Sequence, residues 1–235
     1  MYWRSFKAVF VLLCLVVLVS TYSGRTSAAT AEKNTPDTFP SRTKPLLIDQ
    51  KEQRVLLYTE VNKKSLSENN PHWGIVFKDG KLAGKAIFSA YAAPLDFHDA
   101  LIKIGTRPGN NLSVHRNGQY VGGDRLAVSA TWPGLNRDLP LKEIISDSTG
   151  HGFDIRFGGN REAALEVKTG CILCLESCPI AITSNAAYPS IGTFKRLFSP
   201  NSLFKGRPDT LPKVDHHPVI FIFRLASPGY GPASY

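Results

Sequence analysis

The sequence predicts an α+β fold: a strand-dominated single domain with one clear helix (about 94–105) and long irregular loops. Three observations predict it. In the run 54–61, Val55, Leu57, Thr59 and Val61 alternate with Leu56, Tyr58 and Glu60, the period of a half-buried strand. Residues 219–225 form an apolar run rich in β-branched and aromatic side chains, the mark of a central strand. Only residues 95–104 carry clear helical spacing. The chain has 235 residues, of which 43% are hydrophobic and 20% charged, the composition of a folded globular protein. A chain of that length buries a sizeable core without covalent staples.

In chain order, 46–49 is a first strand, joined to 54–61 by the polar turn 50–53. After the polar loop 62–71, residues 73–77 make a third strand with Trp73 as a core anchor. Asp79-Gly80 predicts a hairpin turn into a strand within 81–92. Pro94 suits the first turn of the helix. Asp96 and Asp99 near its start and Lys103 near its end complement the helix dipole. Leu95, Phe97, Leu101, Ile102 and Ile104 mark its apolar side, His98 faces solvent, and Gly105 caps the C-terminus. Short strands are expected at 112–116, 124–132, 143–146, 153–157 and 180–183, with Trp132 as a second anchor. The glycine pairs 122–123 and 158–159 read as turns. Residues 184–217 are loop-rich, with a hint of helix at 194–198. The domain therefore runs over 46–225, between a polar linker at 29–45 and a loose tail at 226–235.

The N-terminus reads as a targeting segment. Arg4 and Lys7 precede an apolar run over 8–19, and small residues follow, with candidate cleavage after Ala28 or Ala31. That run is short for a membrane span, so residues 1–28 are expected to be a cleaved secretory signal, with an uncleaved N-terminal anchor as the alternative. The expected location is the periplasm or cell envelope. Loss of residues 1–28 removes three positive charges and no negative one, taking the formal charge from +9 to +6. The remaining basic residues are scattered, without the aromatic interleaving of a nucleic-acid surface.

Three of the four cysteines lie in Gly170-Cys171-Ile172-Leu173-Cys174-Leu175-Glu176-Ser177-Cys178-Pro179. The fourth, Cys14, belongs to the apolar N-terminal run. Thiolates favour zinc, copper(I) and iron–sulfur clusters. The spacing C-x2-C-x3-C-P matches the last three positions of a bacterial ferredoxin run, with Lys168 where the first cysteine would stand. On a regular helix Cys171 and Cys178 would sit about 10 Å apart, too far to share a cluster, so the metal reading predicts a loop around 170–175. In an oxidising compartment the same residues could form a Cys171–Cys174 or Cys174–Cys178 disulfide and leave one thiol.

Residues 92–111, 132–143, 170–179 and Ser184-Asn185 together resemble the YdjY-type proteins, a bacterial family named for a ferredoxin-like N-terminal domain. The resemblance covers roughly 45–225. It implies an electron-transfer protein holding a [4Fe–4S]-type cluster on Cys171, Cys174 and Cys178, with a redox protein as partner. No nucleic acid is expected to bind, and membrane attachment only through an uncleaved N-terminus. The alternatives are a non-enzymatic envelope binding or structural domain with one disulfide, or a zinc or copper(I) binder.

His216 or His217 could supply a missing ligand; neighbours on an extended segment point to opposite sides, so at most one could join. Asp147, Ser148, His151 and Asp154 are types suited to acid–base work but lack the flanks of a nucleophile elbow. No catalytic residue is assigned.

Overall fold

The computed structural model describes residues 39–68, 70, 72–190 and 204–227. The expected signal segment, Cys14, the 194–198 helix and the end of the tail lie outside these residues. The strands are β1 (Leu46–Asp49), β2 (Arg54–Val61), β3 (Trp73–Phe77), β4 (Phe88–Ala90), β5 (Leu126–Thr131), β6 (Leu139–Pro140), β7 (Ile145–Asp147), β8 (Ile155–Phe157), β9 (Cys171–Cys174), β10 (Thr183–Asn185), β11 (Phe204–Gly206) and β12 (Pro218–Leu225). The helices are α1 (Pro94–Lys103), α2 (Leu141–Ile144) and α3 (Arg161–Val167).

One mixed sheet runs in the order β6-β5-β12-β2-β4-β3-β9-β10-β8, with β1 added to β2. It curls until its far ends meet: an Arg125–Arg156 bridge and the Phe157 N–H to Asp124 C=O hydrogen bond, 2.9 Å, join the start of β5 to β8. A second pair, β11 and β7, sits apart. The alternation read in 54–61 is the fold's inside and outside. Val55, Leu57 and Val61 enter the main core with Phe221 and Phe223 of β12, whereas Leu56 and Tyr58 pack with Ile220 and Ile222 on the opposite face. Both faces of β12 are covered, which explains its unbroken apolar run. Phe88 stacks edge-on against Phe221, and Phe97 of α1 against Phe223, each with centroids 4.8 Å apart. Each such ring contributes roughly 1.5–3 kcal/mol through burial.

α1 seals this core with Phe97, Ala100, Leu101 and Ile104. Two expectations about its faces are corrected. His98 is buried, 7% exposed, and Ile102 is 43% exposed. The inward stripe runs through 94, 97, 98, 101 and 104, so position 98 shares a side with Leu101 and position 102 does not.

The expected hairpin at Asp79-Gly80 does not form. β4 runs parallel to β3, and residues 78–87 make an irregular excursion between them. The chain turns toward α3 instead: Lys81 N–H and Leu82 N–H donate to the carbonyls of Lys168 and Thr169, both at 3.0 Å. Gly80 permits this approach, since a Cβ there would lie 2.5 Å from Gly170 Cα and Thr169 O. Residues 112–116 form no strand. The strand signal at 143–146 divides between α2 and β7, and that at 180–183 shifts to β10. At the start of the domain, the described end of the linker is held to the sheet. There Arg42 pairs with Glu60, which is 1% exposed and also accepts hydrogen bonds from Tyr58 and Tyr91.

Candidate thiol site

β9 carries Cys171 and Cys174, and the turn after it carries Cys178. Residues three apart on a regular strand point to opposite faces. Here the pairing with β3 is Trp73 with Cys174, Ile75 with Leu173 and Val76 with Cys171, with a register shift at each step. These bulges place Cys171 and Cys174 on one side. Ile172, Leu173 and Leu175 enter the main core, while Cys171 and Cys174 join a separate cluster with Trp73, Val76, Ala86 and Ala181. Leu82 and Cys178 complete it. The element is thus neither the loop that a metal site predicts nor the helix that would scatter the sulfurs. The excursion 78–87 supplies Leu82 and Ala86, so the absent hairpin becomes part of the thiol pocket.

All three thiols are free; Cys171 and Cys174 are buried and Cys178 is partly accessible. Burial, reinforced by the charge of Cys178, pushes the Cys171 thiol up to about 12. Burial likewise pushes Cys174 well above the ordinary thiol range. Cys178 moves the other way. The Cys174 thiol donates to its sulfur, and this bond with the amides of Ile180 and Ala181 outweighs burial. The turn is held by Asn160, whose side-chain amide donates to the carbonyls of Cys178 and Ala181, each at 2.9 Å. Ser184 Oγ accepts from Cys178 N–H at 3.3 Å. Beside the pocket, His72 stacks on Trp73 at 5.1 Å and lies 3.8 Å from Glu176, and burial lowers its pKa to about 4.

A four-ligand cluster would need a further donor beside these three thiols. Lys168 is exposed, ends α3 in a left-handed conformation (φ +58°), and offers its carbonyl to Lys81. His216 and His217 are not brought to the thiols. They precede β12, which β2, β4 and β3 separate from β9. His216 Nδ1 lies 3.3 Å from Glu60, and His217 Nδ1 lies 2.9 Å from the Pro218 carbonyl. Among the described residues, no group of three or more His, Cys, Asp or Glu side chains is arranged to hold a metal ion. The donor set as it stands does not fit the cluster.

Sequence reading missed α3 and Asn160, which position the turn. Glu162-Ala163-Ala164-Leu165-Glu166, a run of strong helix formers, was the available signal. Asp147 and His151 do come together through Thr149: Thr149 Oγ1 lies 3.1 Å from Asp147 Oδ1 and 2.9 Å from His151 Nδ1. Tyr188 also donates to Asp147 at 2.6 Å, so the group fastens a turn.

A family model for the YdjY domain matches residues 46–224. The chain is 36% identical over 226 residues to Uncharacterized protein YdjY of Escherichia coli (strain K12), covering 96% of this chain and 98% of that protein. No solved structure matches.

Proposed function

The chain belongs to the YdjY family, and with that as premise we propose that it is an exported thiol redox domain that exchanges two electrons with a partner protein. The observation that carries this reading is the pairing of a partly accessible Cys178 with a buried Cys174 in one apolar pocket. The Cys178 thiolate attacks a sulfur of the partner's disulfide, and one partner thiolate leaves. Cys174 then gives its proton to that released thiolate and attacks Cys178 Sγ in the mixed disulfide, expelling the second partner thiolate. The domain ends as a Cys174–Cys178 disulfide and the partner as a dithiol. Cys171 stays a buried thiol. The N-terminal apolar run supports a location where such disulfides persist.

The test is thiol counting by mass spectrometry after equilibration with a small-molecule disulfide. Loss of two thiols, with the bond mapped to Cys174 and Cys178, is expected. Three alkylatable thiols after oxidation would overturn it.

A second reading, an iron–sulfur electron carrier, is favoured by the gathering of three thiols in one apolar pocket with two amides on Cys178. It requires a fourth ligand and a rearranged donor set. Iron and acid-labile sulfide in anaerobically purified protein would favour it over the dithiol.

A further inference from the structure

The outer face of the sheet carries a second polar centre. Alternation along β2 puts Glu60 on the same side as Leu56 and Tyr58, and Tyr91 follows β4 beside it. The Glu60 carboxylate is 1% exposed. Tyr58 donates to its Oε1 and Tyr91 to its Oε2, each at 2.9 Å, and His216 Nδ1 lies 3.3 Å from Oε2. The two tyrosine rings stand edge to face, centroids 5.3 Å apart. β4 and β3 separate β2 from β9, so this centre is remote from the cysteines.

A buried carboxylate is costly unless a cation stands beside it. The cation here is the guanidinium of Arg42. Its Nε–H donates to Glu60 Oε1, and its Cζ lies 5.5 Å from the centroid of the Tyr91 ring, within cation–π range. Burial by itself pushes Glu60 up, but the hydrogen bonds from Arg42, Tyr58 and Tyr91 outweigh it and hold the carboxyl below the usual range. Lys78 approaches the same ring at 5.9 Å, yet its ammonium is held by Asp79 at 2.6 Å.

Arg42 reaches this centre from the segment 39–45 that precedes β1. Its neighbours there bond to one another. Ser41 N–H donates to the Lys44 carbonyl at 2.9 Å, Lys44 N–H to Ser41 Oγ at 3.3 Å, and the Ser41 and Thr43 hydroxyls meet at 3.2 Å. Arg42 is the residue that crosses to Glu60, with its side chain still 58% exposed. The receptor is therefore made by the sheet, and its occupant comes on a tether. One carboxylate beside one aromatic face suits a flat guanidinium better than a compact, strongly hydrated ammonium. We infer that Tyr58, Glu60 and Tyr91 form a binding site for an arginine side chain, occupied in cis by Arg42 and able to take a guanidinium ligand in its place. A tethered occupant acts at an effective concentration in roughly the millimolar range, which a free competitor must exceed.

The test uses the full chain with ¹³C-labelled tyrosine, as wild type, Arg42→Ala and Arg42→Lys, titrated with ethylguanidinium and with ethylammonium. Ethylguanidinium carries the atoms that Arg42→Ala removes. It should move the Tyr58 and Tyr91 resonances of Arg42→Ala saturably, and bind at least about tenfold more tightly than to the wild type, whose site is filled. Ethylammonium should bind that variant about tenfold more weakly than ethylguanidinium. Arg42→Lys keeps a cation on the segment and guards against a folding defect; it too should bind ethylguanidinium more tightly than the wild type does. A pair that serves folding alone gives no saturable shift in either variant. That result, equal binding to wild type and Arg42→Ala, or ethylammonium binding as tightly as ethylguanidinium would overturn the inference. The thiol chemistry is read separately by thiol counting, so failure here leaves it standing.

Discussion

Cys178 differs from its two neighbours by what touches its sulfur. A donating thiol and two amides favour its thiolate, while burial holds Cys171 and Cys174 neutral. Alkylation of native protein should therefore label Cys178 first. Its rate should rise through a midpoint below the ordinary thiol value of about 8.5. Cys174→Ser, which replaces the donating thiol, should move that midpoint. Rates measured across pH 5–10 check both outcomes. Burial, rather than the Glu176 carboxylate 3.8 Å away, sets the direction in which His72 titrates. Its folded pKa, about 4, lies below the unfolded value of about 6.5, so the unfolded state binds the proton first. Its contribution to stability is complete above pH 6.5 and is lost as pH falls toward 4. Denaturant midpoints over that window should fall in the native protein and fall less steeply in His72→Phe, the remaining slope coming from carboxylates such as Asp147 whose pKa folding lowers.

At the level of elements, the site depends on two irregularities: the bulges between β3 and β9, and the excursion that replaces a hairpin. Gly80→Ala tests the second. The added methyl meets Gly170 Cα and Thr169 O at 2.5 Å, and backbone on both sides cannot yield cheaply. A loss of about 1–3 kcal/mol is expected from overpacking. Because the excursion supplies Leu82 and Ala86 to the thiol cluster, the same variant should expose Cys171 and Cys174 to alkylation. Thermal unfolding and labelling in native buffer measure the two effects together. The chain does turn at Asp79-Gly80, where Gly80 N–H donates to the Phe77 carbonyl, but not into the hairpin that the pair predicts. Which way the chain went afterwards depended on Gly170, ninety residues on, which no local pattern displays.

For the whole molecule, β12, the last described strand, lies between β2 and β5 and pairs with both. Its Phe221 and Phe223 are fully buried against Phe88 and Phe97. Phe223→Ala should cost about 3–5 kcal/mol, read from denaturant unfolding. In the native protein, amides of β2 and β12 should exchange with solvent most slowly, and those of the separate β7–β11 pair sooner. Strands dominate this molecule because two apolar runs of high β-propensity, 54–61 and 218–225, lie at opposite ends of the domain and pair across it. The remaining strands are two to six residues long and owe their places to this pair.

Sequence alone determined the class of fold, a helix read at about 94–105 and found at 94–103, the strands 46–49, 54–61 and 73–77, a strand read at 153–157 and found at 155–157, the central place of β12, and the cysteines as the stretch that sets this domain apart. Each of these rests on local periodicity, capping or composition, which neighbouring residues carry by themselves. Only the tertiary structure decided that β9 is bulged, that Cys171 and Cys174 share a side, that Cys178 joins them in one pocket, and that His98 turns inward. Those outcomes arise from pairing between strands distant in the chain and from close backbone contacts such as Gly80 against Gly170. A period of two gives a strand its faces, but only the partner strand decides where that period is broken.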